Sequence, residues 1–391
     1  MPITSLVLSM LLQGPGWRDL PIIEPAGEPS HTGSFIVKNR ESLEWRKPRL
    51  AYNSKACVGR KRAQVIVLIY DPILRSEQGK GLGEVLKGTD PEEASRTLAD
   101  VVREASWGYI NYEIVDVIRV NSFPKKVDGF RYNEASYLEA RKTKNWQPAT
   151  SSYRAFFEEN GLLDRFNKEE ITELWVWGAD GFHFDEFAMF IPNRYARFGP
   201  TDNPWLYRPY DIPPELDRTT WVMGFNIEVG FDNAIHSYAH RVESMAALAL
   251  ADGVWNTQSR RDPWNLFTFL ELDHPAAPSQ VGNCHCPPNG QAGYDYNNRR
   301  RVDSWAWNWW RYPDLRGKPQ PISANTWGNN QFGYMKWLLE RVPKFPGETP
   351  HGYNNWWVYI ANVDEELPDL PESQRQSFEP PAEMPAPAVS K

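Results

Sequence analysis

His236, His240 and Glu243 stand at i, i+4 and i+7 in the stretch Asp232-Asn-Ala-Ile-His-Ser-Tyr-Ala-His-Arg-Val-Glu243, a spacing that places all three on one narrow stripe of an α-helix. Imidazole nitrogens and a carboxylate at that spacing are ligands for a divalent metal, zinc before others. Ile235, Tyr238, Ala239, Val242, Ala246 and Ala249 recur at helical intervals on a second stripe about 100° away, so the predicted helix packs one face and presents the other. The zincin pattern H-E-x-x-H is absent, because Ser237 stands where its glutamate would be. A further ligand has to come from elsewhere in the chain. His285, in Gly282-Asn-Cys-His-Cys-Pro-Pro-Asn289, is the best placed, since the two prolines stiffen the loop beyond it.

A second set of candidates consists of acids at strand ends. Glu228 closes an apolar run, and Asp180, Asp185 and Glu186 follow another. Two such acids with pKa values separated by burial could cleave a glycosidic bond, one protonating the leaving oxygen and the other attacking or activating water. They could equally orient metal-bound histidines, cap helices or pair with Arg194, Arg197 and Arg208. Asn289 is a candidate donor to a developing oxyanion. Tyr294 and Tyr296 alternate about Asp295, so in an extended chain both rings share one side.

Aromatic residues are abundant, with 18 Trp, 17 Tyr and 18 Phe. Trp175, Trp177, Trp221, Trp356 and Trp357 lie in apolar runs and are expected in the core. Trp305, Trp307, Trp309 and Trp310 alternate with Ala and Asn, and are expected, with Tyr294, to wall a substrate cleft. The charge of −7 argues against nucleic acid as a partner, and the single basic run, Arg299 to Arg301, reads as a solvated loop or a set of carboxylate partners. No stretch is long and apolar enough for a membrane span. The three cysteines permit one disulfide at most, and Cys57 could pair with either Cys284 or Cys286. Either of the latter as a nucleophile is disfavoured, because the adjacent His285 cannot easily turn its ring back. Dinucleotide, P-loop and nucleophile-elbow signatures are missing.

The elements that must position these groups alternate along the chain. Ala63 to Tyr70 is a buried strand, and Pro91 to about Trp107 is a helix capped by Asp90. Tyr112 to Asn121 is a strand, Tyr153 to Arg165 a helix and Ile171 to Trp177 a strand. Thr219 to Val229 is a strand leading, through Asp232 as cap, into the histidine helix that runs to about Ala251. Asn330 to Arg341 is helical and Trp356 to Ala361 a strand. This order predicts an α/β fold with a mixed or mostly parallel sheet flanked by helices, and a long Trp/Pro/Asn-rich excursion from Asp252 to Trp327. Residues 37–363 are expected to form a single domain. Residues 1–36 are read as a leader and N-terminal extension with a weak signal-like segment, and residues 364–391 as a Pro-rich disordered tail.

The helical H-x-x-E of His240 and Glu243, with the H-x-P-P-N run His285 to Asn289, resembles a segment of predicted secreted bacterial proteins of unknown function. The resemblance covers about the second half of the chain and implies export and a bacterial setting, but no activity. The resulting expectation is a secreted, divalent-metal-dependent hydrolase acting on an extended polymer, with polysaccharide ahead of peptide. His236, His240, Glu243 and His285 would bind metal, while Glu228, Asp185, Glu186 and Asn289 would serve the chemistry. The alternatives are a metal-free glycoside hydrolase using Glu228 with Asp185, Glu186 or Glu243, a metallopeptidase, and a non-enzymatic module that docks a glycan or a protein.

Overall fold

The computed structural model describes residues 61–361, apart from residues 170, 192–195, 199–210, 214, 252–261, 276, 314, 316, 350 and 351. The expected leader, the tail, Cys57 and Arg194 lie outside the described residues, as does Arg208.

The chain builds a six-stranded sheet from β1 (Lys61–Tyr70), β2 (Ile110–Val120), β3 (Glu173–Gly178), β4 (Phe187–Ile191), β5 (Ala196–Phe198) and β6 (Thr220–Asn226), in spatial order β2-β1-β3-β6-β4-β5. The first four in that order are mutually parallel, and β4 runs antiparallel to both β6 and β5. β1 is apolar without alternation because both of its faces are covered, and Val65 to Ile69 are at most 1% exposed. The expected α/β class with a mostly parallel mixed sheet is what the structure has.

Helix α1 (Pro91–Ala105) starts as its sequence dictates: the Asp90 carboxylate accepts from the Glu92 N–H, and Pro91 occupies the first turn, where no N–H is needed. The expected single helix after Tyr153 is two short ones, α2 (Tyr153–Glu159) and α3 (Leu162–Lys168), broken at Gly161 with φ of +63°. Helix α4 (Phe231–Leu250) carries the histidines. Its N-cap is Gly230 rather than Asp232, which lies in the first turn and offers its charge to the helix dipole. Helix α5 (Gln331–Arg341) is capped by Asn330. The segment expected as a strand from Trp356 is a short helix, α6 (Trp357–Ala361); its apolar run is the buried packing surface of a helix on α4, and a continuous run of that length carries no period to tell the two apart.

Helix α4 is the central pillar. It packs on β6 and β4 and is flanked by α1, α5 and α6. It is therefore buried almost all round: Ile235, Tyr238, Ala239, Val242 and Ala246 are in the core, but so are His236 and Glu243. The polar edge is covered by the excursion that follows the helix, through His285 and Cys284.

Candidate metal centre

The Nε2 atoms of His236 and His285 each lie 3.0 Å from Nε2 of His240. Adjacent nitrogens of a tetrahedral zinc site with Zn–N bonds of ~2.0–2.1 Å are about 3.3 Å apart, so the three rings are nearly at ligand spacing. Glu186, on the segment entering β4, puts Oε2 3.6 Å from His240 Nε2 and Oε1 4.0 Å from His236 Nε2. Helix, loop and sheet edge thus converge on one point. His236, His240 and His285 form one grouping that could hold a metal ion; His240, Glu243 and Cys284 form another. The two share the His240 ring and lie on its opposite nitrogens.

Glu243, expected as a ligand beside His240 and His236, faces the other side of the ring. Its Oε2 is 3.1 Å from His240 Nδ1, and its Oε1 accepts from the Cys284 backbone N–H at 2.6 Å. In the neutral ring a carboxylate on Nδ1 leaves the Nε2 lone pair free, the arrangement that orients a metal-bound imidazole. It also ties the helix to the loop that brings His285. Among the described residues Cys284 and Cys286 form no disulfide, and both are buried. Burial pushes both thiols up, Cys286 to about 12, and the nearby Glu243 acts in the same sense on each, so neither is a ready nucleophile.

The His285 loop is a tight turn. Asn283 and Cys286 exchange backbone hydrogen bonds, and Asn283 Oδ1 accepts from the N–H groups of His285 and Cys286. Gly282 enters it at φ of +90°, and a Cβ there would sit 2.4 Å from the Cys286 carbonyl oxygen. Tyr296 donates to the Cys284 carbonyl at 2.6 Å, and the Tyr334 hydroxyl lies among the carbonyls of Val281, Asn283 and Cys286. Glu186 depends on another glycine. At Gly224 in β6 an added Cβ would lie 2.2 Å from the Asp185 carbonyl oxygen, and the Gly224 N–H donates to the Glu186 carbonyl. Gly282 and Asn283 are turn residues legible in sequence; nothing local marks Gly224, Tyr334 or the Cys284 N–H as parts of the site.

The charges are uneven. Burial and the two neighbouring rings lower His236 to about 2, and burial with His240 lowers His285 to about 4. Burial opposes charge on His240 as well, yet Glu186 and Glu243 outweigh it and raise the ring to about 9. Burial raises Glu186, with Glu243 and Asp185 adding to the rise and His240 opposing it. Without an ion the cluster therefore holds one positive charge, on His240 between two acids, and refuses a second.

Other expected site residues are placed elsewhere. Glu228 receives both terminal nitrogens of Arg141, at 2.8 and 2.6 Å, and the Asp180 N–H. Burial would raise its pKa, but these donors lower it below the usual range. Asp180 accepts from Asn226 on the same sheet edge. Asp185 immediately precedes Glu186, and its N–H donates to the Tyr153 hydroxyl. Asn289 is fully buried, and its amide donates to the carbonyls of Asn298 and Arg300. It staples the loop and does not face the cluster.

The aromatic expectations divide. Trp175, Trp177, Trp221, Trp356 and Trp357 are core residues, none more than 3% exposed. Trp309 is also core and donates to Gln280, Trp305 is half-buried with its N–H donating to Ser279 O, and Trp307 is exposed but covered on one face by Arg341. These three sit on or beside a 3-10 turn, Ala306–Arg311, so they do not form one wall; the Trp310 side chain lies outside the described ones. Of the basic run, Arg300 pairs with Glu271 while Arg299 and Arg301 are exposed. Tyr294 and Tyr296 do not share a side: Tyr296 is buried and Tyr294 is exposed, because Tyr294 is left-handed at φ of +63° rather than extended. The Tyr294 ring lies 4.7 Å from that of His285 and, nearly parallel, 6.1 Å from that of His236. Burial and Glu186, first among its charged neighbours, raise its phenol to about 12.

No helix among the described residues is long and apolar enough to cross a membrane. Comparison of the chain with protein-family models, with curated proteins and with solved structures finds no match.

Proposed function

We propose that the protein is a divalent-metal-dependent hydrolase, with the Nε2 atoms of His236, His240 and His285 as the seat of the ion and Glu186 as the base beside it. The observation that carries this reading is the meeting of three imidazole nitrogens, from a helix and from a loop 45 residues further on, at 3.0 Å spacing. Three imidazole nitrogens with a carboxylate beside them are the donor set of many catalytic zinc sites. A divalent ion held by His236, His240 and His285 would supply Lewis acidity, activating water at neutral pH and polarising the bond to be cut. Glu186, 3.6 Å from His240 Nε2, would take the proton of the attacking water and return it to the leaving group, as the water oxygen bonds to the substrate carbon and the carbon–heteroatom bond breaks. Glu243 holds His240, and the Cys284 turn holds His285, so the seat is organised from behind.

Polysaccharide remains the first substrate class to assay and peptide the second. The exposed Tyr294 ring beside His285 supports a stacked ligand, whereas the Trp305 to Trp310 segment no longer does. Export rests on the N-terminal residues and on the sequence resemblance alone.

The purified chain is expected to hold one transition-metal ion, measured by plasma mass spectrometry. His240→Ala should lose it, and hydrolysis of a panel of polysaccharides and peptides should stop with a chelator and return with zinc. Protein without metal, or with the same metal content in His240→Ala, overturns the reading.

A further inference from the structure

Tyr294 carries two costs that the fold does not require. Its backbone is left-handed, a conformation that an aromatic residue with a Cβ adopts only when the surroundings hold it there. The residue is 49% exposed, although the neighbouring Tyr296 is buried and anchors the same loop. The left-handed turn is pinned by a short hydrogen bond from the Tyr294 N–H to the His285 carbonyl, 2.6 Å. That bond ties the position of the tyrosine to the backbone of a candidate ligand. A glycine would meet the same backbone need without strain, and Gly293 stands one residue earlier. What the tyrosine adds is a partly exposed phenol whose ring is laid beside those of His285 and His236.

We infer that Tyr294 is a catalytic residue that donates its phenol hydrogen to a substrate oxygen as negative charge develops on it, while Glu186 handles the proton of the attacking water. This assignment rests on the metal-hydrolase reading above and adds the acid side of the site. It selects substrates in which the carbon under attack bears an oxygen able to accept that hydrogen bond, a carbonyl or acetal oxygen, and it fits a preorganised donor aimed at developing charge. Strain retained at such a position is the usual companion of function.

The test uses the full chain loaded with zinc and acetohydroxamate as probe, a small ligand with two adjacent oxygens, titrated by calorimetry. Tyr294→Phe removes only the hydroxyl and is expected to weaken acetohydroxamate about 10- to 100-fold, the effect of deleting one charge-assisted hydrogen bond, with zinc content unchanged. Tyr294→Gly is expected to lose the probe similarly, with a melting temperature within about 2 °C of wild type, because relief of the left-handed strain offsets the lost half-buried contact. Unchanged affinity in Tyr294→Phe overturns the assignment even where zinc binds. Loss of zinc in Tyr294→Phe also overturns it, since the residue would then be maintaining the seat. Wild-type protein that binds no zinc defeats the underlying hydrolase reading and this assignment with it.

Discussion

Helix α4 buries two polar clusters on adjacent faces, and they are built on opposite principles. Arg241, one residue and so about 100° from His240, puts Nη1 2.7 Å from Glu173 Oε2, with both side chains at most 3% exposed. Its guanidinium lies 3.7 Å over the Trp221 ring, Trp175 donates to the same Glu173 oxygen, and the hydroxyls of Tyr112 and Tyr238 bond to each other at 2.9 Å beside the pair. Every charge there has its opposite inside the fold. On the histidine face three like groups crowd together, and the acids beside them leave room for one positive charge. The arginine pair is the more deeply buried, at 2% and 3% side-chain exposure against 17% for His240 and 33% for Glu186, but the sharper difference is internal charge balance. The arginine cluster is charge-balanced as folded, with only the Arg241 Nε lacking a hydrogen-bond partner, whereas the imidazole cluster is a grouping that could hold a metal ion.

The largest effect that could break this contrast is on the arginine face. Arg241→Met should strand Glu173 as an unpaired buried charge and cost about 3–5 kcal/mol in denaturant unfolding. Replacing Glu173 by Met as well should recover most of that loss. A cost below about 1 kcal/mol for the single change would mean the pair is not closed in the way described.

The histidine face should respond to metal and pH instead. In the metal-free chain His240 is raised above its unfolded value of about 6.5, so its contribution to stability is complete below about 6.5 and is lost as pH rises through about 9. His236 and His285, held down to about 2 and 4, act in the other direction: below about 6.5 the unfolded chain takes up protons that they refuse. Metal must displace the His240 proton, so between about pH 4 and 9 zinc affinity should rise about tenfold per pH unit. At a free-ion concentration 100 times the dissociation constant the ion should add about 2.7 kcal/mol of stability, read as a shift in thermal unfolding that is absent in His240→Ala. A zinc affinity independent of pH over that range would show that no proton is displaced.

The smallest expected effect sharpens the contrast at the sheet edge. Glu228→Gln breaks a partly exposed pair with Arg141 and should cost about 1 kcal/mol or less, leaving zinc affinity unchanged. Hydrolysis lost in that variant with metal retained would return the strand-end acid to the chemistry and favour a paired-carboxylate mechanism.

Local pattern made much of this legible. The continuous apolar run of β1 reads as a strand covered on both faces, and Asp90-Pro91 marks the start of α1. The positions of His236, His240 and Glu243 imply one stripe before any tertiary contact is known, and Pro287-Pro288 points to a stiff loop at His285. The misreadings have a common cause. Trp356 to Ala361 is apolar without period, the cap of α4 depends on how the chain leaves β6, and the Trp305 to Trp310 segment is sorted into core and surface by what packs on it.

The sequence by itself determined which side chains would share a turn of helix, because a 3.6-residue period is a property of the local backbone. Only the tertiary structure decided that Glu186 joins the histidines, that Glu243 stands behind His240 instead of beside it, and that Glu228 is taken by Arg141. Those outcomes depend on the antiparallel entry of β4 beside β6, on the close approach allowed at Gly224, and on a loop folding back over a helix 45 residues away. Contacts between segments so far apart follow from how the whole core packs, and short-range spacing carries no record of that.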